Sequence, residues 1–270
     1  MSYPWRTSTV ESSGETIYFE VTGSPDAEEV VVLTHGAGGS HAAWFQQVPA
    51  LAAAGYRVLT WDARGFGLST FVTGTHGAEA AVRDIAAVLD AEAIDRVHLV
   101  GQSMGGWWVT AFTIAHPARV QSLTLSNTIG GLWTDALRAR FREAVGSGSR
   151  EPGQAGVHTA VSASFAERDP AGAFLYQQLN TFHTPPMVEV GVALAGSAVT
   201  HEDLSATGVP VLGITGSDDA LFPPKLMTES IEAVRGARVV EIADAGHSPY
   251  FERPDDYNAA LLEFLGSVRA

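Results

Sequence analysis

The feature that most constrains this chain is a regular alternation of short apolar runs with longer, helix-like segments. The apolar runs, which we predict to be strands, cover residues 16–23, 30–35, 57–62, 97–102, 122–127, 210–215 and 238–243. Several are nearly continuous in Val, Leu and Ile, which is typical of parallel strands covered by helices on both faces. Helical patterns lie between them, at 42–55, 77–92, 104–117, 224–236 and 254–268. This order predicts an α/β fold with a mostly parallel, twisted sheet flanked by helices, and we expect the first run to pair antiparallel at its edge.

One long segment departs from this alternation. Residues 130–206 hold no convincing buried strand and show helical patterns instead, at 134–145, 171–180 and 185–196. In an α/β sheet, ligands bind beyond the carboxyl ends of the strands, where an insertion would cover them. We therefore expect a helical cap insertion over 130–206 and a core domain formed by 1–129 and 207–270. The alternative is a surface decoration that lies away from any site.

The composition argues against several classes of protein. The chain of 270 residues has no cysteine, which removes disulfides, thiolate zinc sites and a cysteine nucleophile. Its 30 acidic and 16 basic residues give a formal net charge of −14, which opposes binding to nucleic acids and to anionic membranes. The same acidity also serves solubility alone. Neither a secretory signal nor an apolar run of membrane-spanning length is found, so we expect a cytoplasmic protein without a membrane span.

The segment HLVGQSMGGWW, residues 98–108, sets Ser103 among glycines, after a predicted strand and before a predicted helix. Glycine weakens regular structure, so this cluster needs a physical reason. A Gly-x-Ser-x-Gly sequence between a strand and a helix is the pattern of a nucleophile elbow, in which the turn strains the serine backbone and flanking side chains would clash. The alternative is a plain turn whose glycines only permit close packing.

A serine hydroxyl is a weak nucleophile until a base removes its proton. Of the nine histidines, His247 is the best placed, because it lies in a glycine-containing loop between the last predicted strand and the final helix. Asp218 and Asp219 follow the predicted strand that ends at residue 215. We assign Asp219 as the carboxylate that orients His247, and keep Asp218 as the alternative acid or as a helix cap.

Acyl transfer also needs hydrogen-bond donors for the negative oxygen that develops in the transition state. The backbone N–H of Met104, directly after the serine, is one expected donor. The loop THGAGGSHAAW, residues 34–44, follows a predicted strand and is rich in small residues, and we expect the N–H of Ala37 to be the second. The adjacent His35 is interpreted as a residue that braces this loop.

Five motifs in this order resemble the α/β-hydrolase superfamily: HGAGGS, WDARGFGLS, GQSMGG, GSDDALFPP and GHSPYFERPDDYN. The resemblance extends from about residue 16 to residue 270, apart from the cap. It implies the α/β-hydrolase fold, Ser103 as nucleophile, Asp219 as acid, His247 as base, and oxyanion amides at Ala37 and Met104. It also implies that the WDARGFGLS turn braces the scaffold, with Arg64 in a structural role.

The same resemblance bears on the reaction. Haloalkane dehalogenases and epoxide hydrolases of this superfamily carry aspartate at the elbow, whereas this chain carries serine. Hydrolases that cleave carbon–carbon bonds usually carry tryptophan after the histidine and arginine near the elbow. Ser248 follows His247 here, which departs from that pattern.

Large aromatic residues are candidates for the walls of a substrate pocket. Trp107 lies four residues after Ser103 and so on a neighbouring face of the predicted helix. Further candidates are Trp44, Trp133, Phe182 and Phe222, and for each of them ordinary core packing is the alternative.

From these features we expect a serine hydrolase that cleaves a small carboxylic ester or lactone through an acyl-enzyme. No metal and no organic cofactor is expected, and His-Glu-Asp at 201–203 is interpreted as a solvated turn because adjacent residues converge poorly on one ion. The expected partner is a small-molecule substrate, with no nucleic acid and no membrane; the sequence leaves the oligomeric state open. The alternatives are a hydrolase that cleaves a carbon–carbon bond of a β-diketone-type substrate, a slow-turnover ligand receptor, and a cofactor-free oxygenase or perhydrolase.

Overall fold

The computed structural model describes residues 4–139, 158–181 and 184–268, and within them the strands form one sheet of eight. The strands are β1 (Trp5–Ser12), β2 (Glu15–Thr22), β3 (Val30–Thr34), β4 (Arg57–Trp61), β5 (Val97–Gln102), β6 (Val120–Ser126), β7 (Val211–Gly216) and β8 (Arg238–Ile242). Their order across the sheet is β1-β2-β4-β3-β5-β6-β7-β8. The β1–β2 and β2–β4 pairs are antiparallel and all other neighbours are parallel. The predicted mostly parallel α/β sheet is confirmed.

The edge of the sheet differs from the prediction. The strand β1 was not predicted, and it pairs with β2 along eight residues, so β2 is the second strand and not the edge. The sequence of β1 is WRTSTVES, and most of its residues are exposed or half-buried. An edge strand that packs little apolar surface gives a weak hydrophobic pattern, which explains why it escaped prediction.

Helices cover both faces of the sheet. The α-helices described in full are α1 (Gln47–Ala53), α2 (Ala78–Ala91), α3 (Met104–Ala115), α4 (Ala163–Arg168), α5 (Pro170–Leu179), α6 (Met187–Ala195), α7 (His201–Ala206), α8 (Pro224–Glu232), α9 (Pro249–Glu252) and α10 (Pro254–Ser267). Short 3-10 helices lie at His41–Trp44 and Pro117–Arg119.

The core consists of two apolar clusters, one on each face of the sheet. Along β3, Val30 and Val32 belong to the first cluster, whereas Val31 and Leu33 belong to the second. Successive side chains of a strand point to opposite faces, so a strand between two clusters must be apolar at every position. This requirement explains the continuous apolar runs in the sequence.

Between β6 and β7 the described residues contain α4 to α7 and, apart from an isolated bridge between Leu132 and Val199, no β-pairing. The predicted helices at 171–180 and 185–196 correspond to α5 and α6. Residues 135–139 are helical, and the remainder of the predicted 134–145 helix, from 140 onward, lies outside the described residues. The division of the chain into a core and a cap over 130–206 stays a proposal.

Two short helices of this segment were not predicted. Ser162 caps α4 by accepting a hydrogen bond from the N–H of Phe165, and Thr200 caps α7 by accepting one from the N–H of Asp203. The interpretation of residues 201–203 as a solvated turn is therefore wrong, because they form the first turn of a capped helix.

The turn after β4 braces the sheet as predicted for Arg64. Its guanidinium makes two hydrogen bonds to the Asp84 carboxylate, at 2.8 and 2.6 Å, and both side chains are buried. A bidentate pair of this kind fixes geometry as well as charge, and here it joins the turn to α2.

Candidate active site

Ser103 occupies a strained turn between β5 and α3. Its backbone has φ 48° and ψ −118°, a conformation that residues with a Cβ rarely adopt. The N–H of Ser103 donates to the carbonyl of Ser126 at 3.0 Å, and the carbonyl of Ser103 accepts from Gly106 at 2.9 Å. These bonds hold the strained residue at the carboxyl end of the central strand.

The glycines on either side of Ser103, Gly101 and Gly105, are required because a side chain at either position would clash with its neighbours. A Cβ at Gly101 would lie 2.5 Å from Val109 Cγ2 and 2.6 Å from the carbonyl oxygen of Gly105. A Cβ at Gly105 would lie 2.5 Å from the carbonyl oxygen of Thr34. Both contacts are far inside van der Waals distance, so only glycine lets α3 pack this closely on β5 and β3. The glycine pattern around Ser103 thus has the steric origin expected of a nucleophile elbow.

His247 and Asp219 meet at the same edge of the sheet. Their side chains are buried, and His247 Nδ1 lies 2.9 Å from Asp219 Oδ2. A carboxylate can only accept, so Nδ1 carries the hydrogen and Nε2 has its lone pair free. This is the tautomer that a general base needs.

The Asp219 carboxylate is held from several sides. Its Oδ1 accepts from the N–H groups of Leu221 at 2.8 Å and Phe222 at 2.9 Å, and its Oδ2 accepts from Asn127 Nδ2 at 2.9 Å. Burial by itself raises the pKa of Asp219, but the electrostatic attraction of the His247 Nδ1–H and the hydrogen bonds from His247, Asn127 and Phe222 outweigh it and hold the pKa below its ordinary value. The carboxylate therefore stays ionised at neutral pH.

Asp218, the alternative acid, points elsewhere. Its side chain is exposed and accepts a hydrogen bond from Ser217 Oγ at 3.0 Å. The structure therefore brings Asp219, rather than Asp218, against His247.

Asn127 is a site residue that the sequence analysis missed. It directly follows β6, has φ 47°, and donates from Nδ2 both to Asp219 and, at 3.2 Å, to the carbonyl of Gly246. It thus ties the acid to the histidine loop. A polar residue at the carboxyl end of an apolar strand was the signal that could have revealed it.

The loop after β3 lies against the elbow. A Cβ at Gly36 would lie 3.1 Å from Ser103 Cβ, so the following residue, Ala37, is close to the serine. Among the hydrogen bonds found for the described residues, none uses the N–H of Ala37 or of Met104, and an amide in the first turn of a helix has no acceptor within the helix. The assignment of these two amides as oxyanion donors stays a prediction. His35 braces this loop, because its Nε2 accepts from the N–H of Ala63 at 3.0 Å.

Gln102 links the serine and the histidine. Its side-chain amide donates to the carbonyl of His247 at 3.2 Å, and it directly precedes Ser103. Within the described part of the chain, no hydrogen bond joins Ser103 Oγ to the His247 imidazole. Catalytic hydrogen bonds are often long in free enzymes and tighten when substrate binds.

A cavity of about 320 Å³ opens beside His247. Its described lining consists of Gly246 and His247, Asp218 and Ala220, and Thr159 with residues 161–164. The segment between β6 and β7 therefore forms one wall of the cavity beside His247, and the side chains of that wall are small and both polar and apolar.

The predicted aromatic walls are not found in this cavity. Trp44 is fully buried, and its ring packs 4.8 Å from that of Tyr250, so it is a core residue. Trp107 contacts the rings of Trp133 at 6.4 Å and Phe222 at 6.1 Å.

Phe222 contacts the imidazole, by stacking 5.7 Å from the ring of His247. The pocket assignments of Trp44, Trp107 and Trp133 stay predictions. Trp107 packs against both Trp133 and Phe222, as large rings gain from packing on one another. Phe182 lies outside the described residues.

The described residues contain no group of three or more His, Asp or Glu side chains placed to hold a metal ion. No helix among them combines the length and apolar character needed to cross a bilayer.

Comparisons with known proteins identify the family. Residues 29–254 match the family model described as the alpha/beta hydrolase fold. A candidate non-heme bromoperoxidase, BpoC, of Mycobacterium tuberculosis is 31% identical over 260 residues, which cover 92% of this chain and 96% of that protein. The 3-oxoadipate enol-lactonase 1 of Acinetobacter baylyi is 29% identical over 262 residues, 95% of each chain. A solved thermophilic esterase from Thermogutta terrifontis superposes with a TM-score of 0.82 at 25% identity, over 98% of this chain and 100% of the esterase. The chain therefore belongs to the α/β-hydrolase family.

Proposed function

We propose that this α/β-hydrolase cleaves small, uncharged carboxylic esters or lactones with a triad of Ser103, His247 and Asp219. The observation that carries the proposal is the buried Asp219–His247 pair, whose 2.9 Å contact leaves Nε2 free at the edge where the strained serine lies. The esterase and the enol-lactonase among the relatives support hydrolysis of an ester or lactone bond.

In the proposed reaction, His247 Nε2 takes the proton of Ser103 Oγ as the oxygen attacks the substrate carbonyl. The backbone amides of Ala37 and Met104 hold the oxyanion of the tetrahedral intermediate. His247 then gives its proton to the leaving alkoxide, and an acyl-enzyme forms. Water, deprotonated by the same imidazole, attacks the acyl-enzyme and releases the acid and the free serine.

The charge of the site supports an uncharged substrate. Asp218 carries the acidic group of the described cavity lining, and no lysine or arginine belongs to that lining. The net charge of −14 adds a field that repels anions. The segment from 159 to 164 forms the cavity wall, so we propose that residues 130–206 act as the substrate-selecting cap.

The deciding experiment is steady-state hydrolysis of p-nitrophenyl acetate and butyrate by the wild-type protein and by Ser103→Ala. We expect turnover by the wild type and a loss of at least about 10³-fold in the variant, with an unchanged circular dichroism spectrum. A serine-directed phosphonate should label the wild type at the peptide that contains Ser103. Retained turnover or labelling in folded Ser103→Ala protein would refute the assignment.

Each alternative function predicts a different result, in the ester assay or in an assay of its own. A single burst without continued turnover indicates a slow receptor. Cleavage of a β-diketone-type substrate in preference to every ester indicates a carbon–carbon hydrolase. Oxygen uptake indicates an oxygenase, and formation of peracid from hydrogen peroxide indicates a perhydrolase.

A further inference from the structure

Both neighbours of His247 in the chain are anchored to the segment between β6 and β7. On the carboxyl side, Ser248 Oγ makes a 2.8 Å hydrogen bond to the hydroxyl of Tyr176, which belongs to α5. Ser248 and Tyr176 are both buried, so this bond does not compete with solvent.

On the amino side, the anchor is the buried carboxylate of Glu252 at the end of α9. Both of its oxygens lie 3.0 Å from the N–H of Gly246, and Oε2 also accepts from the N–H of Ser162 at 3.0 Å and from its hydroxyl at 2.6 Å. Among the described residues, no lysine, arginine or histidine forms an ion pair with Glu252. These hydrogen bonds therefore satisfy the buried carboxyl oxygens.

Besides donating to Glu252, the Ser162 hydroxyl caps α4 by accepting a hydrogen bond from the N–H of Phe165 at 3.1 Å. It also lines the cavity beside His247. A movement of the cavity wall at Ser162 must therefore shift or break the bonds that hold Gly246.

We propose that Tyr176 and Glu252 are positioning residues, which couple the cap segment to the catalytic base by fixing the backbone on either side of His247. The inference rests on the proposed hydrolase function. Neither side chain is proposed to touch the substrate. A misplacement of a catalytic group by about 1 Å costs on the order of 10²-fold in rate, so a partial loss of either anchor should be visible in kcat.

The test of the Tyr176 anchor is a double-mutant cycle with Tyr176→Phe and Ser248→Ala, measured as kcat and KM for p-nitrophenyl butyrate. Each single substitution removes the hydrogen bond between Tyr176 and Ser248 and, with it, that hydroxyl's bond to the Tyr250 side chain. We expect each to lower kcat about 5- to 10-fold with KM changed less than about twofold, and the double variant to be no slower than the slower single variant. Multiplicative losses in the double variant, or an unchanged kcat in Tyr176→Phe, would overturn the proposal for this anchor.

The matched control is Tyr56→Phe. Tyr56 is also a buried tyrosine, but it directly precedes β4, at the opposite end of the strands from the site. We expect it to lower the thermal midpoint comparably while leaving kcat unchanged. An equal loss of kcat in Tyr56→Phe would show that the Tyr176 effect reflects stability alone.

The test of the Glu252 anchor compares Glu252→Gln, Ser162→Ala and Ser162→Thr. Glutamine keeps one accepting oxygen and turns an NH₂ group toward N–H donors, so we expect kcat to fall about tenfold at unchanged KM. Ser162→Ala should lose kcat as well, and Ser162→Thr, which keeps the hydroxyl, should restore at least half of it. A threonine variant as slow as the alanine variant, or a Glu252→Gln variant with wild-type kcat, would overturn the proposal for this anchor.

Failure of the inference and failure of the proposed function give different results. If Ser103→Ala is inactive but the Tyr176 and Glu252 variants retain wild-type kcat, the hydrolase function stands and the positioning role is refuted. If Ser103→Ala retains activity, the proposed function itself fails.

Discussion

Replacing Asp219 by asparagine should disable the base without unfolding the site. The carboxylate accepts from two backbone N–H groups through Oδ1, and from His247 and Asn127 through Oδ2. An asparagine has one accepting oxygen. When that oxygen keeps the two backbone N–H donors, which cannot reorient, the NH₂ group faces His247 and Asn127. His247 then accepts at Nδ1 and carries its hydrogen on Nε2, so the imidazole can no longer take the serine proton.

In a chymotrypsin-like serine protease this change of tautomer lowers kcat about 10⁴-fold. We therefore expect Asp219→Asn to lower kcat for p-nitrophenyl butyrate by about 10³- to 10⁴-fold, which corresponds to about 4 to 5.5 kcal/mol in activation free energy. The control is Asp218→Asn, whose exposed side chain bonds only Ser217 among the described residues, and which should change kcat less than about twofold. Circular dichroism and thermal unfolding verify that both variants fold. A folded Asp219→Asn protein within tenfold of wild type, or a slower Asp218→Asn protein, would refute the triad as assigned.

Further substitutions test other parts of the site and the fold. Asn127→Ala removes one charge-assisted hydrogen bond from Asp219, so kcat for p-nitrophenyl butyrate should fall about tenfold. An unchanged kcat would contradict a role for Asn127 in holding the acid. Asp218→Lys reverses a charge beside the cavity; kcat/KM should rise about fivefold for an ester that carries a carboxylate and stay level for a neutral ester, and the gain should disappear in 0.5 M salt. Burial raises the pKa of Glu15, but hydrogen bonds from Thr70 and from residues 72 and 73 outweigh it and lower the pKa from 4.5 to about 2. This carboxylate therefore stabilises the fold above pH 4.5, and its contribution is lost as the pH falls toward 2. Urea unfolding should show Glu15→Gln to be less stable than wild type at pH 7 and to lose less stability across that acid range; parallel curves would contradict this.

The elbow was predictable because its determinants are local. A strand, two glycines at fixed spacing and a helix lie within a short stretch, and the steric limit at Gly101 arises from Val109 and Gly105 of the same stretch. The limit at Gly105 comes from the Thr34 carbonyl of β3, but the local glycine spacing already marked that position. The order of apolar runs likewise predicted the parallel sheet, since β3, β5, β6 and β7 are buried at nearly every position. The assignment of Asp219 needed only its place after β7 and the proximity that parallel strands impose at their carboxyl ends.

The determinants that escaped prediction act across long separations. Tyr176 and Ser248 are 72 residues apart, and Asn127 and Asp219 are 92 residues apart. Neither pair lies in a pattern that marks a partner, so only the folded chain reveals the bond. The aromatic pocket candidates show a related limit of sequence reasoning. A large apolar side chain near a site has the same sequence signature whether it faces the cavity or another ring, and Trp44 faces Tyr250.

The contacts of the histidine loop imply that substrate binding and base placement are not independent. Residues 161–164 line the cavity, and Ser162 among them also binds the carboxylate that holds Gly246. A substrate that displaces this wall therefore acts on the backbone beside His247, whereas a substrate that leaves the wall in place meets a base already oriented by Asp219. Poor substrates should consequently lose rate in kcat as well as in KM, because they disturb the position of the imidazole in addition to binding weakly. If a series of esters with increasingly bulky leaving groups of equal pKa changed KM alone, the wall and the base would be energetically separate, and the coupling through Ser162 would have no role in specificity.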